Sequence, residues 1–486
     1  MQYCRSTGMV RQFKSYAFQG NHAAAEPLGY GYSKVVCKAT AKYSGMGIAV
    51  REENKWSRAE RHNTGVMAAG ESLWGLYTAM IAASTVLTIL LHDLGAGNSV
   101  GLIPAIEGGT LLLPQVLGAF LFHGKRPVKR ILITWHVVAT VPFLLLAAAA
   151  VYWSASLPSL VVRIVLLLTF GCTQAIIAVV IPSWTDWLGH LFGIRHRGTV
   201  LSLLLASSAL VSIGGALAAG YLIRLDPAPA AYARHYLLAA VFAALSMVVF
   251  AWVREEPQED AVDEAPMNKG WGHCRALLDR FDDSVRDPNT QAFMVGRCLT
   301  VCGFAMMPFM TLYYTSPSGG DLSASFVVSC GAAQALAAAL SQLVLGRIGD
   351  RRGHRIGLIF GAAMQVLALA VMLAGAGPMS CLIAYFCAGC ALGSASLAHL
   401  NLLIETCPHD NRVAHITINN VVLGVTSVAA PLMSSWIVQQ WGLRTLFAIC
   451  LTFSLVGLAW LISRMREPRH IDVLAERPAE SLSAPA

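Results

Sequence analysis

Several ionisable side chains stand inside long apolar runs of this chain, and their positions raise the first chemical question. Glu107 sits in "IPAIEGGT", Arg163 in "LVVRIV" and Arg297 in "MVGRCL", while His136 and His399 are single imidazoles among aliphatic residues. A charge at the centre of a bilayer costs about 2.5–3.5 kcal/mol on insertion scales, so an ionisable group held there is a functional candidate. Glu107 reads as a proton-accepting carboxylate or a substrate contact, with a structural hydrogen bond to a neighbouring helix as the other reading. Arg163 balances Glu107, Asp93 or an anionic substrate, or else snorkels to the headgroups. Arg297 lies too deep to snorkel easily and reads as facing a cavity. Gln174, Asn419 and Asn420 are hydrogen-bonding candidates for the same cavity. His136 and His399 have the right intrinsic basicity to titrate near neutrality, although lone histidines of this kind are more often packed polar residues. Glu71, in "ESLWGLY", reads as a capping or orienting group near an interface.

Enzyme chemistry is not visible. No Gly-Lys-Ser/Thr phosphate loop is present, and the polar segments are too short to assemble a Ser/His/Asp site. The Cys387–Cys390 pair lies within an apolar run and reads as small residues packing helix on helix. No metal or other cofactor is expected.

The elements that position these groups follow from composition. The 486 residues are 56% hydrophobic and 13% charged, with a mean hydropathy of +0.57, whereas soluble domains carry about 25% charged residues. Apolar runs of about 20 residues suit a bilayer, and twelve are read: 67–91, 99–121, 129–153, 159–183, 198–223, 233–253, 289–314, 322–345, 355–376, 379–403, 414–438 and 443–463. The net charge of +8 is spread over turns, which excludes a nucleic-acid face. Thirty of the 35 Lys and Arg fall on one side of this arrangement, and Arg224, Arg234 and Arg444 alone fall on the other. By the positive-inside rule both termini are cytoplasmic.

The chain divides into a basic N-terminal tail (1–64) read as unstructured, a six-span half (65–253), a linker (254–288), a second six-span half (289–463) and a C-terminal tail (464–486). Within the linker, Trp271, Cys274, Leu277, Leu278, Phe281 and Val285 recur at helical spacing and predict an amphipathic surface helix. The first 64 residues lack the apolar core of a secretory signal. Basic turns follow the second span of each half, and Ser/Ala/Gly-rich spans recur after "RHRG" and "DNRV".

Between spans 8 and 9 stands "GRIGDRRGHR". Gly346, Asp350, Arg351, Gly353 and Arg355 are spaced Gly-x3-Asp-Arg-x-Gly-x-Arg. Physically, Gly346 and Gly349 allow a close helix end, Gly353 can take a positive φ, and Asp350 suits a helix N-terminus. Arg351 and Arg355 can reach helix C-terminal carbonyls or carboxylates. The pattern resembles the signature of the major facilitator superfamily in its second copy, over roughly residues 65–465. The first copy, "GAFLFHGKRPVKR", is degenerate, with Phe122 where Asp would stand. Span 4 lacks the Gln-Gly that follows the arginine in proton-coupled members, and span 5 lacks the Gly-Pro pair of drug/proton antiporters.

The resemblance implies an all-α membrane protein with twelve helices in two pseudo-symmetric six-helix bundles, and a loop that latches the cytoplasmic side. The expected function is secondary active transport of a small organic solute by alternating access, driven by an ion gradient, most simply protons through Glu107. Export is the favoured direction. Nutrient or metabolite uptake is the alternative, and a non-transporting sensor or scaffold on the same fold is the third reading. The expected setting is the bacterial inner membrane, as a monomer, with the lipid bilayer and a small-molecule substrate as partners.

Overall fold

The computed structural model describes residues 56–110, 112–122, 128–192, 194–255, 286–406 and 412–468. The linker helix expected around 271–285 and most of the N-terminal tail lie outside these residues. Helix α1 spans Arg58–Met80. It begins inside the region read as an unstructured tail because "SRAE" is a capping box. Ser57 Oγ accepts from the Glu60 amide at 2.9 Å, and the Ser57 amide donates to Glu60 Oε2 at 2.8 Å, so two backbone donors at the helix start are satisfied. An irregular helical continuation reaches Gly101, with Gly95 at φ 84° and Gly97 at φ 55°.

The second crossing is two short helices, α2 (Leu102–Gly109) and α3 (Leu113–Phe122). Two causes are local. Gly108 and Gly109 each weaken a helix by about 1 kcal/mol relative to Ala, and Thr110 Oγ1 donates to the Glu107 carbonyl at 2.6 Å, competing with the helical ladder. The first half continues with α4 (Val128–Tyr152), α5 (Ser159–Leu191), α6 (Ile194–Leu225) and α7 (Ala233–Phe250). The second half comprises α8 (Pro288–Phe304), α9 (Met307–Thr315), α10 (Ala324–Ser329), α11 (Gly331–Arg352), α12 (Arg355–Ala374), α13 (Pro378–Glu405) and α14 (Arg412–Ser463). Helix α14 is a single element broken at Gly442, whose φ is 82°. Among the described residues ten helices are long and apolar enough to cross a membrane.

The outward surface is apolar. Leu168 is 61% exposed and Leu160 58%, far more than a water-facing surface tolerates in continuous patches and suited to lipid. Polar side chains hold the interior. Gln365, fully buried, donates from Nε2 to the Thr300 carbonyl and to Ser454 Oγ, both at 2.9 Å, and joins α8, α12 and α14.

Two seams join the halves. Helix α6 packs along α10 and α11, and α2 packs along α14. Glycines set the separation. A Cβ on Gly108 would stand 2.6 Å from the Ser427 backbone. Pro431 lies four residues beyond Ser427 and has no amide to bond its carbonyl, so α2 passes against an unsatisfied stretch of α14. Within the first half, Gly118 of α3 rests directly on the Val179 carbonyl of α5. Gly118→Val therefore costs about 1–3 kcal/mol of stability, the usual penalty of overpacking. The expected outcome is a lower unfolding temperature of the purified protein, whereas Gly214→Val, with open space at its Cβ, leaves the temperature near its starting value.

Candidate functional site

Arg351 and Lys129 stand at helix ends of one, basic face, and the halves meet in apolar contact towards the other. There a single apolar cluster draws on both halves. Leu87, Leu90 and Ile103 come from the first, and Phe309, Met310, Tyr314 and Tyr385 from the second. Two hydrogen bonds run through it. Thr311 Oγ1 donates to the Ser84 carbonyl at 2.5 Å and lies 2.7 Å from the Tyr385 hydroxyl, tying α9 to the continuation of α1 and to α13. Ser84 lies in a π-helical turn, Ala83–Leu87, where irregular winding leaves carbonyls available to side chains.

Glu107 lies one turn nearer the basic face than Ile103 and on the same side of α2, four residues on. Ile103 is 1% exposed within the inter-half cluster, whereas Glu107 is exposed. No side-chain hydrogen bond or ion pair holds its carboxylate among the described residues. Two turns further on, Gln115 Oε1 accepts from Asn420 Nδ2 of α14 at 3.1 Å, a direct side-chain bond between the halves. Asn419, beside it, is 3% exposed. Gln174 is half-buried on α5.

The arginines are placed differently from expectation. Arg163 meets neither Glu107 nor Asp93 in an ion pair. Its Nη1 donates to the Gly95 carbonyl at 2.7 Å, capping the broken end of the first crossing near the face opposite the basic one. Arg297 lies in the second half, its Nη1 3.5 Å from Thr300 Oγ1 and its buried Nε without a partner. It is close enough to His399 for the two to interact electrostatically, and His399 stacks on Phe293 at 5.6 Å. His136 bonds the Leu132 carbonyl through Nδ1 at 2.8 Å and meets Trp74 edge-on at 5.4 Å. Glu71 is no helix cap, because α1 starts at Arg58 under Ser57.

The motif loop grips the end of α14. Gly353 has φ 94°, and the Glu467 carboxylate occupies the space a side chain there would need. Arg355 donates from Nη2 to the carbonyls of Leu461, at 3.1 Å, and Ile462, at 2.6 Å, and its amide donates to Glu467 Oε2 at 3.0 Å. The close contact assigned to Gly346 belongs to Gly349. A Cβ on Gly346 would meet ordinary van der Waals neighbours at 3.6 Å, whereas one on Gly349 would strike the His354 ring. His354 Nε2 lies 3.8 Å from Glu405 Oε1. Arg351 is exposed, and the Asp350 side chain lies outside the described set.

The first half repeats this grip with other residues. Lys129 Nζ donates to the Val253 carbonyl at 3.0 Å, and the Lys129 amide donates to Glu255 Oε1 at 3.2 Å. The Arg254 amide donates to Asn63 Oδ1 at 2.8 Å, as the Arg466 amide does to Asn289 Oδ1 at 2.7 Å. Asn63, Glu255, Asn289 and Glu467 were not singled out from the sequence. Their signal is the recurrence of Arg-Glu before a proline, "REEP" and "REP", just past the last crossing of each half.

Fold and seams define a membrane protein of two packed helical halves. The Major Facilitator Superfamily profile matches residues 319–485. Multidrug resistance protein MdtG of Serratia proteamaculans is 27% identical over 188 residues, covering 38% of this chain and 46% of that protein. MdtG of Yersinia enterocolitica is 26% identical over 300 residues, covering 60% and 66%. The chain spans a little under half the length of the first of these relatives. The solved structure of the nucleoside transporter NupG aligns with a TM-score of 0.55 at 14% identity, over 84% of this chain and 99% of that one. A variant of NupG aligns at 0.57 and 13% identity, over 84% and 100%. At such identities the likeness is one of fold. The family resemblance is thus carried by the profile over residues 319–485.

Hydrogen bonds to charged groups contribute about 1.5–3 kcal/mol. Glu467 is 7% exposed, so Glu467→Ala loses stability in that range, read from thermal unfolding. Glu255 is exposed and solvent screens its contribution, so Glu255→Ala has a smaller effect. Equal losses from both would contradict the difference in burial.

Proposed function

We propose that this protein is a secondary active transporter that moves a small organic solute across the bacterial inner membrane by alternating access. The observation that carries the reading is the inter-half seal, with the exposed Glu107 carboxylate directly beneath it. The two halves are joined by apolar contacts and by the Thr311–Ser84 hydrogen bond at one end. On this reading the opposite, basic end is the cytoplasmic one, both termini lie there, and the central space opens towards it. Helix pairs with glycine contacts suit two bodies that rock against each other around a midplane site.

Glu107 is the coupling group in this proposal. It takes a proton when open to one side and releases it when open to the other, and an exposed carboxylate with no cation beside it is free to do so. Gln115 and Asn420 are seam contacts remade in each cycle, and Gln174 and Asn419 are candidate wall residues of the solute path. Arg297 and His399 supply a cationic pole on the second half. Arg163 is a structural cap and carries no transport role. The Gly346–Arg355 loop acts as a latch through Arg355 and Glu467, with Asp350 and Arg351 completing it. Export is the favoured direction, supported by the multidrug resistance relatives. The absent Gly-Pro pair in the fifth span favours uptake, and the direction of flux decides between them. The protein works as a monomer with the bilayer as its surroundings and an ion gradient in place of a cofactor.

The test is flux in proteoliposomes, with solutes chosen by a thermal-shift screen, since binding to the folded state raises the unfolding temperature. Glu107→Gln should abolish solute movement driven by a pH gradient while sparing exchange of solute for solute. Unchanged pH-driven flux would remove Glu107 from coupling. A full screen without any hit or flux would favour the sensor or scaffold reading.

A further inference from the structure

A second site lies away from the seam. Inside the first half, between α1, α4, α5 and α7, is a cavity of about 150 Å³ whose walls include Glu71, Trp74, His136, Trp184, Trp187 and Phe250. All of its lining residues belong to the first half. Its composition is unusual for a gap between membrane helices. One carboxylate and one imidazole are set in a wall that is otherwise aromatic and aliphatic.

Glu71 is thirteen residues into α1 and lies beyond the reach of either helix end. Among the described residues its carboxylate has no hydrogen bond and no ion pair, although it is only half-exposed. Carboxylates placed this way are costly unless something pairs with them. The neighbouring polar groups offer no pairing cation. His136 Nδ1 lies 2.8 Å from the Leu132 carbonyl. A carbonyl only accepts, so Nδ1 carries the hydrogen, and in its unprotonated form the ring presents Nε2 as an acceptor. The Trp187 Nε1 hydrogen is already donated to Glu255 Oε1 at 2.8 Å, which leaves that indole's face for packing. The cavity therefore presents a carboxylate, an imidazole and aromatic surface that includes the indoles of Trp74 and Trp184.

That chemistry selects among ligands. An anion is repelled by the Glu71 carboxylate. A hard metal cation needs about six oxygen ligands, and one carboxylate does not supply them. A neutral apolar molecule fills the space but leaves Glu71 unsatisfied. An organic ammonium ion meets every requirement. Its N–H groups donate to Glu71 and His136, its charge is attracted to indole faces, and its apolar body packs against the remaining wall. The volume limits that body to about one ring or a short alkyl chain.

We propose that this cavity binds a small organic ammonium ion, with the charge on Glu71 and the apolar body against Trp74 and Trp184. The site does not depend on the transport reading, because it is assayed by binding alone. The experiment is calorimetric titration of the purified full-length protein with 2-phenylethylammonium and, separately, with its neutral isostere 2-phenylethanol. The ammonium ion should bind saturably at one site, with the alcohol at least about tenfold weaker, since a charge-assisted contact is lost. Glu71→Gln should weaken ammonium binding by about tenfold or more. Ile177→Trp, on protein that still unfolds cooperatively, should abolish it by filling the cavity. Equal binding of alcohol and ammonium by the unmodified protein, unchanged binding by Glu71→Gln, or no ammonium binding at all would overturn the proposal. The comparison of the two ligands on the unmodified protein decides the matter even where a substituted protein fails to fold.

Discussion

A carboxylate held against the start of a helix organises each half of this molecule. Glu255 and Glu467 follow the last crossing of their halves, and each accepts from a backbone amide at the start of a helix, Lys129 of α4 and Arg355 of α12. A helix start carries unpaired donors and partial positive charge, so the two features satisfy each other. The cation at the same position then turns to the carbonyls at the end of the last crossing. An asparagine from the start of each half's first helix fixes the next amide. Three helices are thereby joined at one face of each half.

The large features were legible in the sequence because they rest on repeated properties. Long apolar runs and the Gly-x3-Asp-Arg spacing each draw on many residues. Single-residue geometry was harder to read. An arginine in an apolar run invites a charged partner or a headgroup, yet at Arg163 the Gly95 carbonyl satisfies it. Whether a carbonyl is left free by a helix break is a matter of backbone angles that composition does not report. Glu71, early in an apolar run, reads from sequence as a capping or orienting group. The true cap, Ser57 with Glu60, lies fourteen residues earlier in a stretch whose basic character masked its helical signature.

The paired clamps were missed for a different reason. Their members are separated by about a hundred residues or more, and only the short Arg-Glu recurrence links them. The cavity around Glu71 was also invisible in one dimension, since it depends on which faces of four helices converge. The seam glycines were partly visible as Ser/Ala/Gly-rich spans. Their use became specific only with the contact of Gly108 on the stretch before Pro431.

The bond that crosses the seal has an uneven ancestry. One end is the hydroxyl of Thr311, a side chain that any substitution can remove. The other end is the main-chain carbonyl of Ser84, which every amino acid supplies. The first half therefore contributes shape alone at this point, through a π-helical turn rather than through the identity of residue 84. Sequence drift at that position leaves the acceptor in place, and for this bond the side-chain dependence falls on the partner half alone.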